Sequence, residues 1–150
     1  MSEFKEAVTA DNRDKAVNDV ANALEETIDQ LSGLTGKAVK LGYAAAKKKR
    51  PDIAIKIADT MLESLCDTLD PYWSDYKSDS GSDFGAYLVE HKDEVSRDVL
   101  KLADEKVAEI DNDKLTKGHE RFRNKAVDYA EISLPALGKA LEQNARSSTL

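Results

Sequence analysis

The spacing of apolar residues constrains this chain more than any other feature of its sequence. Apolar side chains recur at intervals of three and four residues, which places them on one face of an α-helix. Two such stripes are Val17, Val20, Leu24, Ile28 and Leu31, and Ala54, Ile57, Ala58, Met61, Leu65 and Leu69. Short alternating runs of β-branched residues, the pattern of a half-buried strand, are absent from the sequence. The pattern therefore predicts an all-α fold, a bundle of six to eight helices.

Prolines and capping residues divide the predicted helices. Pro51 separates two helices, because the residue before a proline avoids the helical region. Asp70 and Pro71 together predict the N-cap and first position of a new, short helix. Ser133 is predicted to cap the last helix, and the helix that Asp83 caps either continues past residue 92 or breaks there. The predicted helices cover about 11–31, 35–49, 51–69, 72–76, a stretch from Asp83, 115–131 and a last stretch from 134.

The length of 150 residues indicates a single helical domain with a core large enough to need no disulfide or metal. A shift of 79 residues aligns 14–31 with 93–110 and matches several acidic and apolar positions. This alignment predicts two three-helix halves, 11–69 and 83–143, joined by a connector over 70–82. Chance similarity between charged amphipathic helices is the alternative explanation.

Five of the nine aromatic residues lie in or next to the predicted connector, within positions 72–87. They are Tyr72, Trp73, Tyr76, Phe84 and Tyr87. One interpretation is a core plug, in which each ring buries about 150–250 Å². The other is an interaction surface, because Trp and Tyr dominate the energetics of protein interfaces. The sequence leaves both interpretations open.

The charge distribution is uneven around a net charge of −7 and a pI of about 4.9. Two basic segments, 34–50 and 114–125, stand out in an otherwise acidic chain. Candidate anion-binding residues are Lys37, Lys40, Lys47, Lys48, Arg50, Arg121 and Arg123. The alternative is that these cations pair with acidic neighbours on the surface. Nucleic acid is not the expected partner, because the net charge is negative and no nucleic-acid-binding motif is present.

The sequence predicts no catalytic residue, no metal and no cofactor. Its two histidines, His91 and His119, and its one cysteine, Cys66, do not form a metal-ligand spacing. Cys66 is predicted to be an inert core thiol, and His91 a packed side chain. The segment Gly33–Lys37 lacks the glycine spacing and the hydroxyl residue of a phosphate loop, and no strand precedes it.

The composition and hydropathy of the chain bear on its cellular compartment and on whether it could span a membrane. One cysteine excludes an internal disulfide, and no apolar run approaches the length of a membrane span. The N-terminal segment does not resemble a secretory signal. We therefore expect a cytoplasmic protein without a membrane partner.

Several local motifs resemble a known group of proteins. These motifs are Gly42-Tyr43-Ala44-Ala45, Leu69-Asp70-Pro71-Tyr72-Trp73, Asp83-Phe84-Gly85-Ala86-Tyr87-Leu88 and Leu134-Pro135-Ala136-Leu137-Gly138. Together they resemble a family of small helical proteins from actinobacteria, a domain of unknown function. The resemblance implies a cytosolic helical protein and supplies no activity, ligand or catalytic residue.

Three functional hypotheses follow from these patterns. The leading one is a non-enzymatic interaction or scaffold protein that binds another protein, or itself, through the aromatic connector. The second is anion or nucleic-acid binding through the two basic helices. The third is a small-molecule carrier or enzyme, with a pocket between helices and the connector as its lid.

Overall fold

The computed structural model describes the backbone of residues 3–10, 12–78, 83–109 and 113–147, and the side chains of 3–10, 12–77, 83–105 and 127–145. Within these ranges the chain forms seven helices and no strand, which confirms the predicted all-α class. The helices are α1 Glu3–Thr9, α2 Arg13–Gln30, α3 Gly33–Lys49, α4 Ile53–Ser78, α5 Phe84–Glu90, α6 Lys92–Glu109 and α7 Asp113–Ser147.

The two longest helices, α4 and α7, organise the bundle. Helices α1, α2, α5 and α6 each contact both of them and fill the space between. One continuous cluster of buried side chains joins these six helices, from Phe4 in α1 to Ala145 in α7. Helix α3 contributes no fully buried member to this core and packs mainly on α2. It is therefore a peripheral element of the bundle.

Helix α1 was not predicted from the sequence. It buries only Phe4 and Val8, and two apolar positions in seven residues give too little periodicity to identify a helix. The backbone N–H of Phe4 donates to Oδ1 of Asp70 at 2.9 Å. This bond ties the start of α1 to the middle of α4 and satisfies one of the free amide groups at a helix start.

The predicted helix start at Pro71 is wrong, because α4 continues through this proline without a break. A proline inside a helix costs about 3 kcal/mol. Here Leu69, Trp73 and Tyr76 are all buried along one continuous helical face, and their burial outweighs that cost. Asp70, predicted to cap a new helix, accepts the hydrogen bond from Phe4 instead.

The predicted helix start at Ser133 is also wrong, because α7 runs through Pro135 as a single helix. The hydroxyl of Ser133 donates to the carbonyl of Ala130 at 2.6 Å and caps nothing. Leu134 and Leu141 are fully buried on the same helix. Burial of this stripe favours one continuous helix over two separate ones.

The helix that Asp83 caps breaks at His91, which settles the alternative left open by the sequence. Its backbone, with φ −108° and ψ 26°, leaves the helical region and separates α5 from α6. The predicted cap at the start of α5 is confirmed, since the carboxylate of Asp83 accepts from the backbone N–H of Ala86 at 2.6 Å. The predicted division into two three-helix halves, 11–69 and 83–143, stays a prediction.

Helices α5 and α7 touch at two glycines. A Cβ atom added to Gly138 would lie 2.6 Å from the Cα of Gly85. A Cβ atom added to Gly85 would lie 2.8 Å from the carbonyl oxygen of Pro135. Both distances are shorter than the contacts that real Cβ atoms make. Both neighbours are backbone atoms, so a methyl group could be accommodated only if the helices moved apart. The approach of the two helices therefore requires glycine at both positions.

Gly138→Ala should lower the free energy of unfolding by about 1–3 kcal/mol, because the added methyl group overpacks the contact of α5 with α7. The matched control is Gly42→Ala in α3, where an added Cβ meets nothing within 4 Å. That change should stabilise the protein by up to about 1 kcal/mol through helix propensity. Urea unfolding followed by circular dichroism measures both, and an unchanged midpoint for Gly138→Ala would contradict the described contact.

Arg13 joins the start of α2 to α4. Its guanidinium donates from Nε to Oε1 of Glu63 at 2.7 Å and from Nη2 to Oε2 at 3.0 Å, and it also bonds Asp59. The hydrogen bonds from Arg13 hold the pKa of Glu63 below its usual value of 4.5. Glu63 is therefore ionised when it pairs with Arg13.

Arg13→Gln should cost about 1 kcal/mol of unfolding free energy at neutral pH, because this partly exposed ion pair is bidentate. The pKa of Glu63 is lower in the folded state, so the stabilisation is present above the unfolded value of 4.5. It disappears as the pH falls through the folded value. Urea unfolding of the wild type and of Arg13→Gln at a series of pH values should give free energies of unfolding that become equal at low pH. A difference that does not depend on pH would contradict the assignment.

Candidate interaction surfaces

The aromatic residues of the predicted connector form an internal cluster. Trp73 and Tyr76 on α4 are only 6% and 3% exposed, and Phe84 at the start of α5 is fully buried. Phe4 of α1 stacks on Trp73 with ring centroids 4.8 Å apart, and Phe84 meets Trp73 edge-on at 5.1 Å. Sequence reasoning missed Phe4, because nothing local links it to a segment so far along the chain.

A buried carboxylate closes this cluster on the α7 side. The hydroxyl of Tyr76 donates to Oε2 of Glu142 at 2.6 Å, and the backbone N–H of Phe84 donates to Oε1 at 3.2 Å. Glu142 therefore links α4, α5 and α7, and its side chain accepts a hydrogen bond from one of the free amide groups at the start of α5. No local pattern marks Glu142 for this role, because 29 acidic residues make any single one inconspicuous.

The two remaining aromatic residues lie at the rim of the cluster. Tyr72 is half-buried and donates to the carboxylate of Asp98 on α6. Burial, together with this hydrogen bond to a carboxylate, raises the pKa of Tyr72. Tyr87 is also half-buried and lies against His91, with ring centroids 4.5 Å apart. The geometry gives the five rings a packing role, and their role as an interface stays a prediction.

The side chains that could take part in catalysis or bind a metal were located in the fold. Cys66 is fully buried, and burial raises the pKa of its thiol to about 12, so the thiol is protonated at neutral pH. Among the side chains that the structure describes, no group of three potential metal ligands occurs. In the same part of the chain, no helix is long and apolar enough to cross a membrane. The side chains of His119, Arg121 and Arg123 lie outside the described residues.

A small apolar crevice of about 80 Å³ lies between α2, α4, α6 and α7. Aliphatic side chains such as Leu24, Met61 and Val99 line most of it. Its two hydroxyl groups, those of Thr27 and Ser133, already donate to carbonyls of their own helices. The carrier hypothesis stays a prediction.

The outer face of α3 is apolar and exposed to solvent. We call Leu34, Ala38, Leu41 and Ala45 the α3 ridge, since their spacing of four, three and four residues aligns them along one side of the helix. All four are exposed, Leu34 to 90% and Leu41 to 64%. The opposite side of α3 faces α2, where Gly36 is buried against the backbone of Leu31. The ridge therefore points away from the body of the protein.

Cations run along both sides of the α3 ridge. At 3.6 residues per turn, Lys37 and Lys48 fall on one flank and Lys49 on the other. Of the six cations in positions 33–50, only Lys47 forms an ion pair with a residue that the structure describes, Glu25. The remaining ones are Lys37, Lys40, Lys48, Lys49 and Arg50. The structure thus places the first predicted basic segment on an exposed helix with little internal neutralisation.

The family profile of DUF6918, a family of unknown function, matches residues 4–145. The chain therefore belongs to this family, as the resemblance of its motifs to a domain of unknown function implied. No characterised protein and no solved structure shows significant similarity to it. Origin from actinobacteria, which the resemblance also implied, stays a prediction.

Tyr76→Phe should lower the free energy of unfolding by about 1–3 kcal/mol, because it removes a donor from a buried carboxylate. Tyr72→Phe is the matched control: it removes the same hydroxyl from a hydrogen bond at the exposed rim and should cost less. Thermal unfolding measures both variants. Adding Glu142→Gln and the double variant Tyr76→Phe with Glu142→Gln gives a double-mutant cycle that measures the coupling energy between Tyr76 and Glu142. Equal effects of the two tyrosine changes would contradict the buried network.

Proposed function

We propose that this protein is a non-enzymatic binding module that attaches to a negatively charged partner through the α3 ridge and the cations beside it. The observation that carries the proposal is the 90% exposure of Leu34 within a cation-flanked face. An apolar strip left in water and rimmed by charged residues is typical of an interaction site. A cytoplasmic location, expected from the composition, is part of this proposal.

The charge asymmetry of the chain supports the choice of an anionic partner. Positions 33–50 hold six cations and no acid, whereas the whole chain has a net charge of −7. The remainder therefore has a net charge of −13. Such a distribution attracts an anionic surface to α3 and repels it from the rest of the molecule. The partner would thus meet the protein in one orientation.

The proposal moves the contact surface away from the aromatic connector, the leading candidate from the sequence. Trp73 and Phe84 would have to leave the core to contact a partner, and the ring contacts of Phe4 with both would be lost. The α3 ridge is already exposed, so a partner can bind it without unfolding any part of the core. Binding through α3 therefore requires the smaller rearrangement.

Retention on immobilised heparin, a polyanion, tests the proposal. The protein should be retained at low salt and released as salt rises, because counterion release governs such binding. The variant Lys37→Glu with Lys48→Glu should elute at distinctly lower salt. The matched control is Lys92→Glu with Lys101→Glu, which also reverses two charges, at exposed positions on α6, and should elute close to the wild type.

Failure of the wild-type protein to bind heparin at low salt would overturn the proposal. Elution of the Lys37/Lys48 variant together with the control would do the same, because it would show that the charges of α3 do not form the binding surface.

A further inference from the structure

We infer that the negatively charged partner is the surface of an anionic lipid bilayer, on which α3 lies flat with the α3 ridge inserted among the headgroups. This inference rests on the proposed function and goes beyond it by naming the partner. No apolar run in the sequence is long enough to span a bilayer, and on that basis no membrane partner is expected. Adsorption at the surface requires a helix with an apolar face and a cationic polar face, and no membrane-spanning length.

The apolar centre of the α3 face favours lipid over nucleic acid. Phosphate-binding faces place cations and hydrogen-bond donors where the backbone of the nucleic acid lies. Here the centre is Leu34 and Leu41, two helical turns apart and about 10 Å from each other along the axis. Phosphate groups gain nothing from contact with these leucines. The boundary between headgroups and acyl chains accommodates them.

The positions of the lysines fit the same geometry. Lys37 and Lys48 on one flank and Lys49 on the other extend to both sides of the ridge. A lysine side chain lays its apolar stem along a hydrophobic layer and keeps its ammonium group in water. On an anionic bilayer the three ammonium groups would lie at the level of the lipid phosphates and carboxylates while the leucines lie deeper.

A second copy of the chain is a poor occupant of this face. Pairing of two α3 helices through the ridge would bring Lys37, Lys48 and Lys49 of one copy close to the same lysines of the other, with no acid in either segment. Like charges so placed oppose association. The ridge also lacks the Trp, Tyr and Arg anchors that dominate protein interfaces. A lipid surface needs neither such anchors nor a complementary shape.

The position of α3 in the fold gives a flat surface access to the ridge. The helix packs mainly on α2, and its exposed side faces away from α2. A helix with its side chains is about 10–12 Å thick. This thickness is comparable to the Debye length of about 8 Å at physiological salt. Screening over this distance weakens the repulsion between the acidic body and the bilayer.

Sedimentation of the full chain with vesicles tests the inference. Vesicles of phosphatidylcholine with added phosphatidylserine should bind the protein, and vesicles of phosphatidylcholine alone should not. Leu34→Ser with Leu41→Ser should weaken vesicle binding at least about tenfold, because both side chains leave the acyl boundary. The control is Ile55→Ser with Val89→Ser, which also replaces two exposed apolar side chains, on α4 and α5, and should leave binding unchanged.

The heparin measurement separates the inference from the proposed function. The Leu34/Leu41 variant should still bind heparin like the wild type, since its charges are intact. Binding to heparin without binding to phosphatidylserine vesicles would overturn the lipid assignment and leave the proposed function standing. Vesicle binding that is indifferent to the two leucine changes would overturn insertion of the ridge. Binding to neither probe would overturn both proposals.

Discussion

The packing of Phe84 against Trp73 is the contact on which the arrangement of the bundle depends. Phe84 begins α5, Trp73 lies in α4, and Phe4 of α1 touches both rings, so three helices meet at one point. Glu142 brings α7 to the same point through its hydrogen bonds with Tyr76 and with the backbone of Phe84. Aromatic rings provide the largest buried area per side chain, and their offset geometry fixes relative orientation as well as distance.

This core also explains why α3 lies outside the bundle. Helices α4 and α7 are joined by α1, α2, α5 and α6, each of which supplies buried side chains to the space between them. Toward α2, helix α3 offers a buried glycine, Gly36, and the half-buried Tyr43 in place of a stripe of large aliphatic residues. Its leucines face outward instead. A leucine that is 90% exposed adds nothing to the stability of the fold. Together with Leu41 it forms an apolar strip rimmed by cations, which is why we assign the α3 ridge to binding.

Elements with a local signal in the sequence are predicted correctly, and the wrong predictions lie where a contact with a distant residue decides the structure. The helical spacing predicted α2 and α3 to within a few residues, and Asp83 was recognised as a cap from its position before Phe84. The breaks expected at Pro71 and Ser133 are wrong, because local turn chemistry was outweighed by burial of the flanking stripes. For the candidate site, the cations of α3 were identified, but the outward orientation of its leucines was not. Periodicity shows that a helix has an apolar face, and it does not show whether that face is covered.

The sequence by itself determined the helical class, most helix positions, the inert character expected of Cys66 and the concentration of cations in 34–50, because each depends on neighbours along the chain. Only the tertiary structure decided that Trp73 and Tyr76 point into the core and that Leu34 and Leu41 point out of it. Only the fold brought Phe4 to Trp73 and Glu142 to Tyr76. Burial is a property of packed elements: a side chain is removed from water by residues far away in sequence, and those residues are assigned to it only when the helices dock.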